Sequence, residues 1–331
     1  MNATFLLALV SAAVLNGTPL LFGTLGEILS EKAGNLNLGV EGMMYMGGAM
    51  GLGGAFYYEM LAGESASGPL AVLIAILCAF LGGAFGALLY SFITITLRAN
   101  QNVTGLALSI FGTGAGQFIG EYMRVTSGGY VSISNSLKAV FMNSPMPAFL
   151  QNIPILGPLL FQYNIFVYLG VVVAVVMSLY LRKSRSGLYL RAVGESPATA
   201  DAAGVSVIRY KYLATCIGAG ISGLGGTYYV MNYINGTWEN QGTIEALGWL
   251  AVALVIFATW KSLRAIWGSY LFGVLYWAYN YIPGLSRSTL ELFKMLPYVV
   301  TIIVLLMVSM RKKREDQPPQ SLGIPYFREE R

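Results

Sequence analysis

The chain contains no histidine, only two cysteines, and few charges: Asp, Glu, Lys and Arg together make up 11 % of its 331 residues. The lack of histidine removes the commonest general base and the commonest metal ligand. Cys78 and Cys216 both lie inside apolar runs, which argues against a disulfide framework or a zinc site. Soluble domains carry about 25 % charged residues, and a chain this poor in charge cannot cover a water-facing surface. No glycine-rich loop ends in Gly-Lys, so the usual phosphate cradle is missing as well. No basic face carries interleaved exposed aromatics, and a nucleic-acid partner is not expected. Apolar residues, by contrast, make up 56 % of the chain. The composition is that of an all-α, polytopic membrane protein.

Apolar runs long enough to cross a bilayer fall at 3–24, 42–60, 70–97, 103–121, 164–181, 211–232, 244–260, 262–282 and 291–310, giving about nine helices. The 70–97 run is long enough to require strong tilt or a kink. Met1–Val14 has no cationic leader and reads as the first membrane helix. The few cations are clustered. Arg182, Lys183, Arg185, Arg191, Arg209 and Lys211 share one interhelical stretch, and Arg311–Arg314 follows the last apolar run. Cationic segments resist translocation, so both clusters are expected in the cytoplasm. Alternation then puts Arg98, Lys261 and Arg264 inside and the N-terminus outside, with Arg124, Lys138, Arg287 and Lys294 on the outer face. On this reading residues 1–314 form the membrane domain and 315–331 a cytoplasmic tail. The 122–163 loop is external, with a short amphipathic helix expected near Ser136–Phe149, and 182–210 is a cytoplasmic loop. The tail, rich in proline from Pro318 to Pro325, reads as extended and disordered, or as docking a partner through Ile324–Phe327. Small residues four apart, Gly47/Gly51, Gly82/Gly86, Gly112/Gly116 and Gly218/Ser222, mark close helix approach in lipid.

Three polar segments stand out. In Glu31–Gly42, the residues Asn35, Asn37, Gly39 and Glu41 alternate with Leu36, Leu38 and Val40. Period two predicts an extended chain with one polar face, tolerated near membrane depth where protein or water satisfies its amides. An interrupted helix beside a solute pathway meets that condition; an ordinary interhelical turn is the plainer alternative. The run Asn100-Gln101-Asn102 with Thr104 opens the next span, either capping it or facing the mouth of a cavity. In the third, Ser196 is a good N-cap, Pro197 the favoured first helical residue, and Gly204 a left-handed stop. Between them Ala198, Asp201 and Ala202 lie on a helix of about two turns, roughly 10 Å long. Helices that short are unstable alone in water, so a partner surface is expected to hold it.

Along nearly its whole length the chain resembles the permease subunits of ATP-binding-cassette importers of the ribose, branched-chain amino acid and nucleoside group. Ser30–Gly47, Asn100–Gly112, Ser186–Lys211, Gly242–Ala258 and Pro297–Leu306 carry the likeness, most specifically Arg191-Ala-Val-Gly-Glu195-Ser-Pro and Ala203-Gly204. The nucleoside or simple-sugar branch is most similar. The resemblance implies that Glu195–Gly204 is the coupling helix, and that the chain is not itself an enzyme. ATP and Mg would be bound by a separate ATP-binding subunit, and this chain would carry no cofactor. It also implies a second homologous permease, an external solute-binding lipoprotein and a bacterial cytoplasmic membrane. The segment Phe257-Ala258-Thr259-Trp260 departs from the group, whose members tend to carry glycine after the Phe. An ion-coupled secondary transporter working through Glu27, Glu41 and Glu245 is the competing class, in which a coupling helix has no role; an intramembrane enzyme is a third, and without histidine it would need a Ser or carboxylate pair that no spacing suggests.

Overall fold

A computed structural model describes residues 3–238, 244, 246–277, 286–311 and 316–328. The described chain is helical, and its only β-type pairing is the isolated antiparallel bridge between Ser132 and Thr237. Long helices run over α1 (Ala3–Lys32), α2 (Val40–Ala62), α3 (Gly68–Ser91) and α4 (Gln101–Thr126). Two short helices follow, α5 (Asn135–Met142) and α6 (Ala148–Gln151), and then α7 (Ile165–Lys183). The pair α8 (Arg185–Glu195) and α9 (Pro197–Ala202) precedes α10 (Val207–Asn232), α11 (Leu247–Phe257), α12 (Ser262–Trp277) and α13 (Arg287–Arg311). Each apolar run expected to span contains one of these helices among its described residues, although α11, at 11 residues, is shorter than a bilayer crossing. Among the described residues, four stretches are long and apolar enough to cross a bilayer: Leu7–Lys32, Gly68–Thr96, Gln101–Thr126 and Ile165–Lys183.

The centre is built from α1, α2, α3 and α10, which pack on one another with little side-chain bulk between them. A Cβ on Gly47 would overlap the backbone of Gly223, and one on Gly26 would overlap that of Gly218. Gly112 similarly abuts Gly42, joining α4 to α2, while Gly82 lies against Met46 and Met50. The small-residue pairs seen in the sequence are therefore backbone crossings, where dispersion contacts replace the missing hydrophobic drive between helices in lipid. Thr227 Oγ1 donates to the Gly47 carbonyl at 2.9 Å, a bond that the close approach makes reachable. Outward residues such as Leu77, Leu81, Phe85, Phe118 and Trp267 are exposed, as a lipid-facing surface requires.

Several boundaries differ from expectation. The first helix continues to Lys32, so Glu27 and Glu31 lie on it and are buried. The 70–97 run ends in a π-helical turn, Phe92–Thr96, with Thr94 Oγ1 donating to the Tyr90 carbonyl at 2.8 Å. In the 122–163 segment the expected helix is confined to Asn135–Met142, capped by Ser134; Pro145 and Pro147 separate it from Ala148–Gln151. The 182–210 segment is mainly helical, through α8 and α9. The tail is also different: residues 316–328 lie against the protein's own surface.

Candidate functional site

The first helix stops at a glycine. Gly34 takes φ +83°, its N–H donates to the Glu31 carbonyl (2.8 Å), and the Asn35 N–H donates to Ser30 (3.2 Å), the two bonds of a Schellman stop. Beyond it only Asn35–Asn37 lies outside both helix and turn, because Leu38 and Gly39 turn and α2 begins at Val40. Asn35 and Asn37 are buried with Leu36 half-buried between them, and the alternation read over 35–41 goes no further than Asn37. Glu41 sits in the first turn of α2, where a carboxylate suits the helix dipole, with its backbone against Gly248 of α11.

Both asparagines point into the protein. Asn35, fully buried, donates from Nδ2 to Thr215 Oγ1 (2.7 Å) and to the Lys211 carbonyl (3.3 Å) of α10. Asn37, also buried, accepts from the Gly39 N–H (3.0 Å), and its own N–H donates to Glu27 Oε1 (2.9 Å). Glu31, one turn on, accepts from the Trp260 indole N–H. The backbone of Leu36 is clasped from two further helices: its N–H donates to Gln101 Oε1 (2.7 Å), and its carbonyl accepts from Tyr90 OH (2.6 Å). The break thus ties α1 to α3, α4, α10 and the α11–α12 turn, and protein groups satisfy the Leu36 N–H and carbonyl and the Asn37 N–H. Glu245, the third carboxylate named from the sequence, lies outside the described residues.

The second amide run divides differently. Asn100 is exposed and caps α4, accepting from the Val103 N–H at 3.1 Å, and Asn102 is exposed. Only Gln101 and Thr104 are buried. They share a face with Gly105, Leu108, Ser109 and Gly112, the 3.6-residue stripe packed on α2 and the break. The sequence named Gln101 only as part of the amide run; the stripe is what sets it apart from Asn100 and Asn102. Sequence reasoning missed Tyr90, Thr215 and Trp260, and they have no local signal because their partners are remote in sequence.

At the same end of the bundle lies the Glu195–Gly204 segment. Ser196 caps α9 by accepting from the Thr199 N–H (3.4 Å), and Pro197 is its first residue. Gly204, at φ +84°, closes it with the same double bond as Gly34: Gly204 N–H to the Asp201 carbonyl (2.9 Å) and Val205 N–H to Ala200 (2.9 Å). Ala200 faces inward onto Val193 and Val207, while Ala198, Thr199, Ala202 and Ala203 are exposed. Asp201 turns toward the tail, accepting from Tyr326 OH (2.9 Å) and pairing with Arg328 Nε (3.2 Å).

The tail straps this end together. Ser321 donates to the Gly194 carbonyl from both N–H (3.0 Å) and Oγ (2.6 Å), and the Gly323 N–H donates to the Gly34 carbonyl (3.3 Å). Asp316 accepts from Lys261 Nζ (2.7 Å) and Arg264 (3.0 Å), and Phe327 lies 4.8 Å from the Arg98 guanidinium. The Lys261 ammonium holds the Asp316 carboxyl below the usual aspartate range, with Arg264 adding to the effect. Composition alone read this tail as disordered; its anchors are single residues scattered through the fold. Two consecutive non-glycine residues, Thr259 and Trp260, take φ +52° and +53° where the chain departs from the group pattern. Such strain costs about 1–3 kcal/mol per residue, and the turn presents Trp260 to Glu31.

Comparison with known proteins bears on this arrangement. Residues 9–305 match the family described as branched-chain amino acid transport system / permease component. A Haloferax volcanii chain, provisionally named as a glucose ABC transporter permease protein, is 35 % identical over 82 % of this chain and 77 % of its own length. The nucleoside ABC transporter permease protein NupC of Lactococcus lactis subsp. cremoris is 32 % identical over 90 % of both chains. The guanosine ABC transporter permease protein NupQ of Bacillus subtilis is 28 % identical over 98 % of this chain and 97 % of its own. With a helical, multi-pass membrane fold and a match running almost end to end, the chain belongs to this permease family, the non-catalytic membrane-spanning subunits of ABC importers.

Proposed function

We propose that this chain is one of two homologous permeases in a nucleoside importer of a bacterial cytoplasmic membrane. The observation that carries the substrate is the likeness to the nucleoside and guanosine permeases, which extends over nine-tenths or more of both lengths. The exposed face of α9, Ala198 and Ala202 above all, docks into a groove on an ATP-binding subunit, which holds ATP and Mg. Glu195 contributes at the rim, and Arg191 lies one turn before it on α8. Asp201, engaged by the tail, orients α9 from behind. An external solute-binding lipoprotein delivers substrate at the face carrying α5 and α6. The break at Asn35–Asn37, with Glu41, Gln101 and Thr104 beside it, forms the inner gate of the pathway, and the exposed Asn100 and Asn102 lie at its rim.

The fold supports this orientation. The α9 segment precedes α10 and the α5 segment meets its far end through Ser132 and Thr237, so they are separated by its 26 residues, about 39 Å of helix. The basic 182–211 stretch then faces the cytoplasm. A simple sugar is the second reading, favoured by the 35 % identity to the haloarchaeal glucose-named chain. The test is uptake of labelled guanosine and glucose into vesicles holding the whole transporter. Guanosine uptake undiminished by excess glucose is expected; glucose uptake with none of guanosine overturns the nucleoside reading.

A further inference from the structure

We propose that the cavity under the tail is a binding site for a phosphate-bearing anion, supplied by an anionic phospholipid headgroup or by free phosphate. The cavity is about 580 Å³ and is lined by the ends of α1 (Lys32) and α7 (Arg182), by α8 (Arg191, Glu195), and by the α11–α12 turn and the tail. Four cations from four different elements converge on it: Lys32, Arg182, Arg191 and Lys261. Glu195 is the one carboxylate in the lining, and Asp316 is already committed to Lys261 and Arg264. Positive charge is left in excess inside a partly enclosed space, where like charges repel more strongly than in water.

A second observation concerns Arg191. Its Nε is buried and has no hydrogen-bond partner among the described residues. A buried donor without an acceptor is costly, and a guanidinium fork fits phosphate oxygens in a two-point contact. Ser178, Ser262 and Gln317 add neutral polar groups to the same wall. A phosphate placed here would accept from Arg191 and balance the surplus charge.

The flanks favour a lipid as the source. On α7, Val175, Val176 and Leu179 are exposed, and on α12 so are Leu263, Trp267 and Leu271. These two helices pack together beside the cavity, giving acyl chains an apolar bed below the headgroup. Basic pockets between helices near the cytoplasmic surface suit such headgroups. Placement at the inner leaflet rests on the orientation proposed above, but binding itself does not.

The experiment is native mass spectrometry of the whole transporter in detergent, with added phosphatidylglycerol, phosphatidylcholine or inorganic phosphate. Phosphatidylglycerol should be retained in preference to phosphatidylcholine, and Arg182→Gln and Arg191→Gln should each weaken retention about fivefold. Lys183→Gln, a neighbouring cation outside the cavity lining, should leave it unchanged. If the glutamine variants fold poorly, Arg191→Lys keeps the charge and loses the fork, and intermediate retention supports the site. Competition by millimolar phosphate, with phosphate alone raising the melting temperature of the parent but not of the Arg191 variant, assigns the site to the soluble source. Retention unaffected by either arginine substitution, with no response to phosphate, overturns the proposal. So does loss of the ATP-binding subunit in these variants with lipid retention intact, which would assign the cations to an acidic protein partner. Neither failure touches the substrate reading, because uptake is not the readout.

Discussion

The two amide-rich segments, the break at residues 33–39 and the break at 97–100 with the first residues of α4, look alike in sequence and are built differently. In the first, both asparagines are buried and bonded to other helices or to α1's own carboxylate; in the second, Asn100 and Asn102 face outward and only Gln101 turns in. The difference follows from where each helix ends. Gly34 halts α1 while the chain is still surrounded by α3, α4 and α10, so the N–H groups of Leu36 and Asn37 and the Asn35 Nδ2 turn to protein acceptors. The second break comes after Arg98 at φ +59°, where the chain is exposed, and its first amide needs only to cap the next helix. The first is a junction and the second a corner, joined by the bond from Leu36 to Gln101.

Substitutions can break this contrast, and the largest effect is expected at Asn35. Asn35→Leu removes two bonds to α10 at a fully buried position, which should cost about 3 kcal/mol and abolish uptake; thermal unfolding and vesicle uptake measure both. Gln101→Leu leaves the Leu36 N–H without its acceptor and should cost about 2 kcal/mol, with uptake reduced more than expression. Asn100→Ala should cost only about 1 kcal/mol, the ordinary worth of a helix cap, with uptake retained. Asn102→Leu, on the exposed side, should change stability by less than about 0.5 kcal/mol. Equal effects at Asn35 and Asn102 would erase the distinction.

The smallest effect concerns the tail and pH. Asp316 has its pKa depressed in the folded protein, so the stability it contributes is present above the unfolded aspartate value. It is lost as pH falls through the lower, folded value. Hydrogen exchange over 316–328 should therefore be unchanged through neutrality and rise only below about pH 4. Asp316→Asn should show that faster exchange already at neutral pH.

Much of the helical framework was legible because apolar runs and glycine pairs report directly on lipid exposure and backbone crossings. Ser196, Pro197 and Gly204 gave the limits of α9 by local chemistry alone, since a cap and a left-handed stop need no distant partner. Legibility failed where the partner lies far along the chain. Nothing near Trp260 announces Glu31, and nothing near Tyr326 announces Asp201. Period two over 35–41 misled for a related reason: Glu41 continues the alternation in sequence but belongs to the first turn of α2. Of the carboxylates that suggested an ion-coupled carrier, Glu27 accepts from the Asn37 N–H and Glu41 sits in the first turn of α2, while Glu245 lies outside the described residues; the family match leaves that class without support.

The central claim is that the exposed face of α9 couples this permease to an ATPase, and Ala202→Trp tests it most directly. Ala202 is exposed, so the larger side chain leaves the membrane core intact while overfilling a receiving groove, where overpacking costs about 1–3 kcal/mol. Ser196→Ala, which weakens the same helix by about 1 kcal/mol without adding bulk, provides the milder companion. The measurement is receptor-stimulated ATP hydrolysis together with uptake in reconstituted vesicles. The account predicts that Ala202→Trp lowers both, and that Ser196→Ala lowers them less. Wild-type hydrolysis and uptake with Ala202→Trp in place would contradict it.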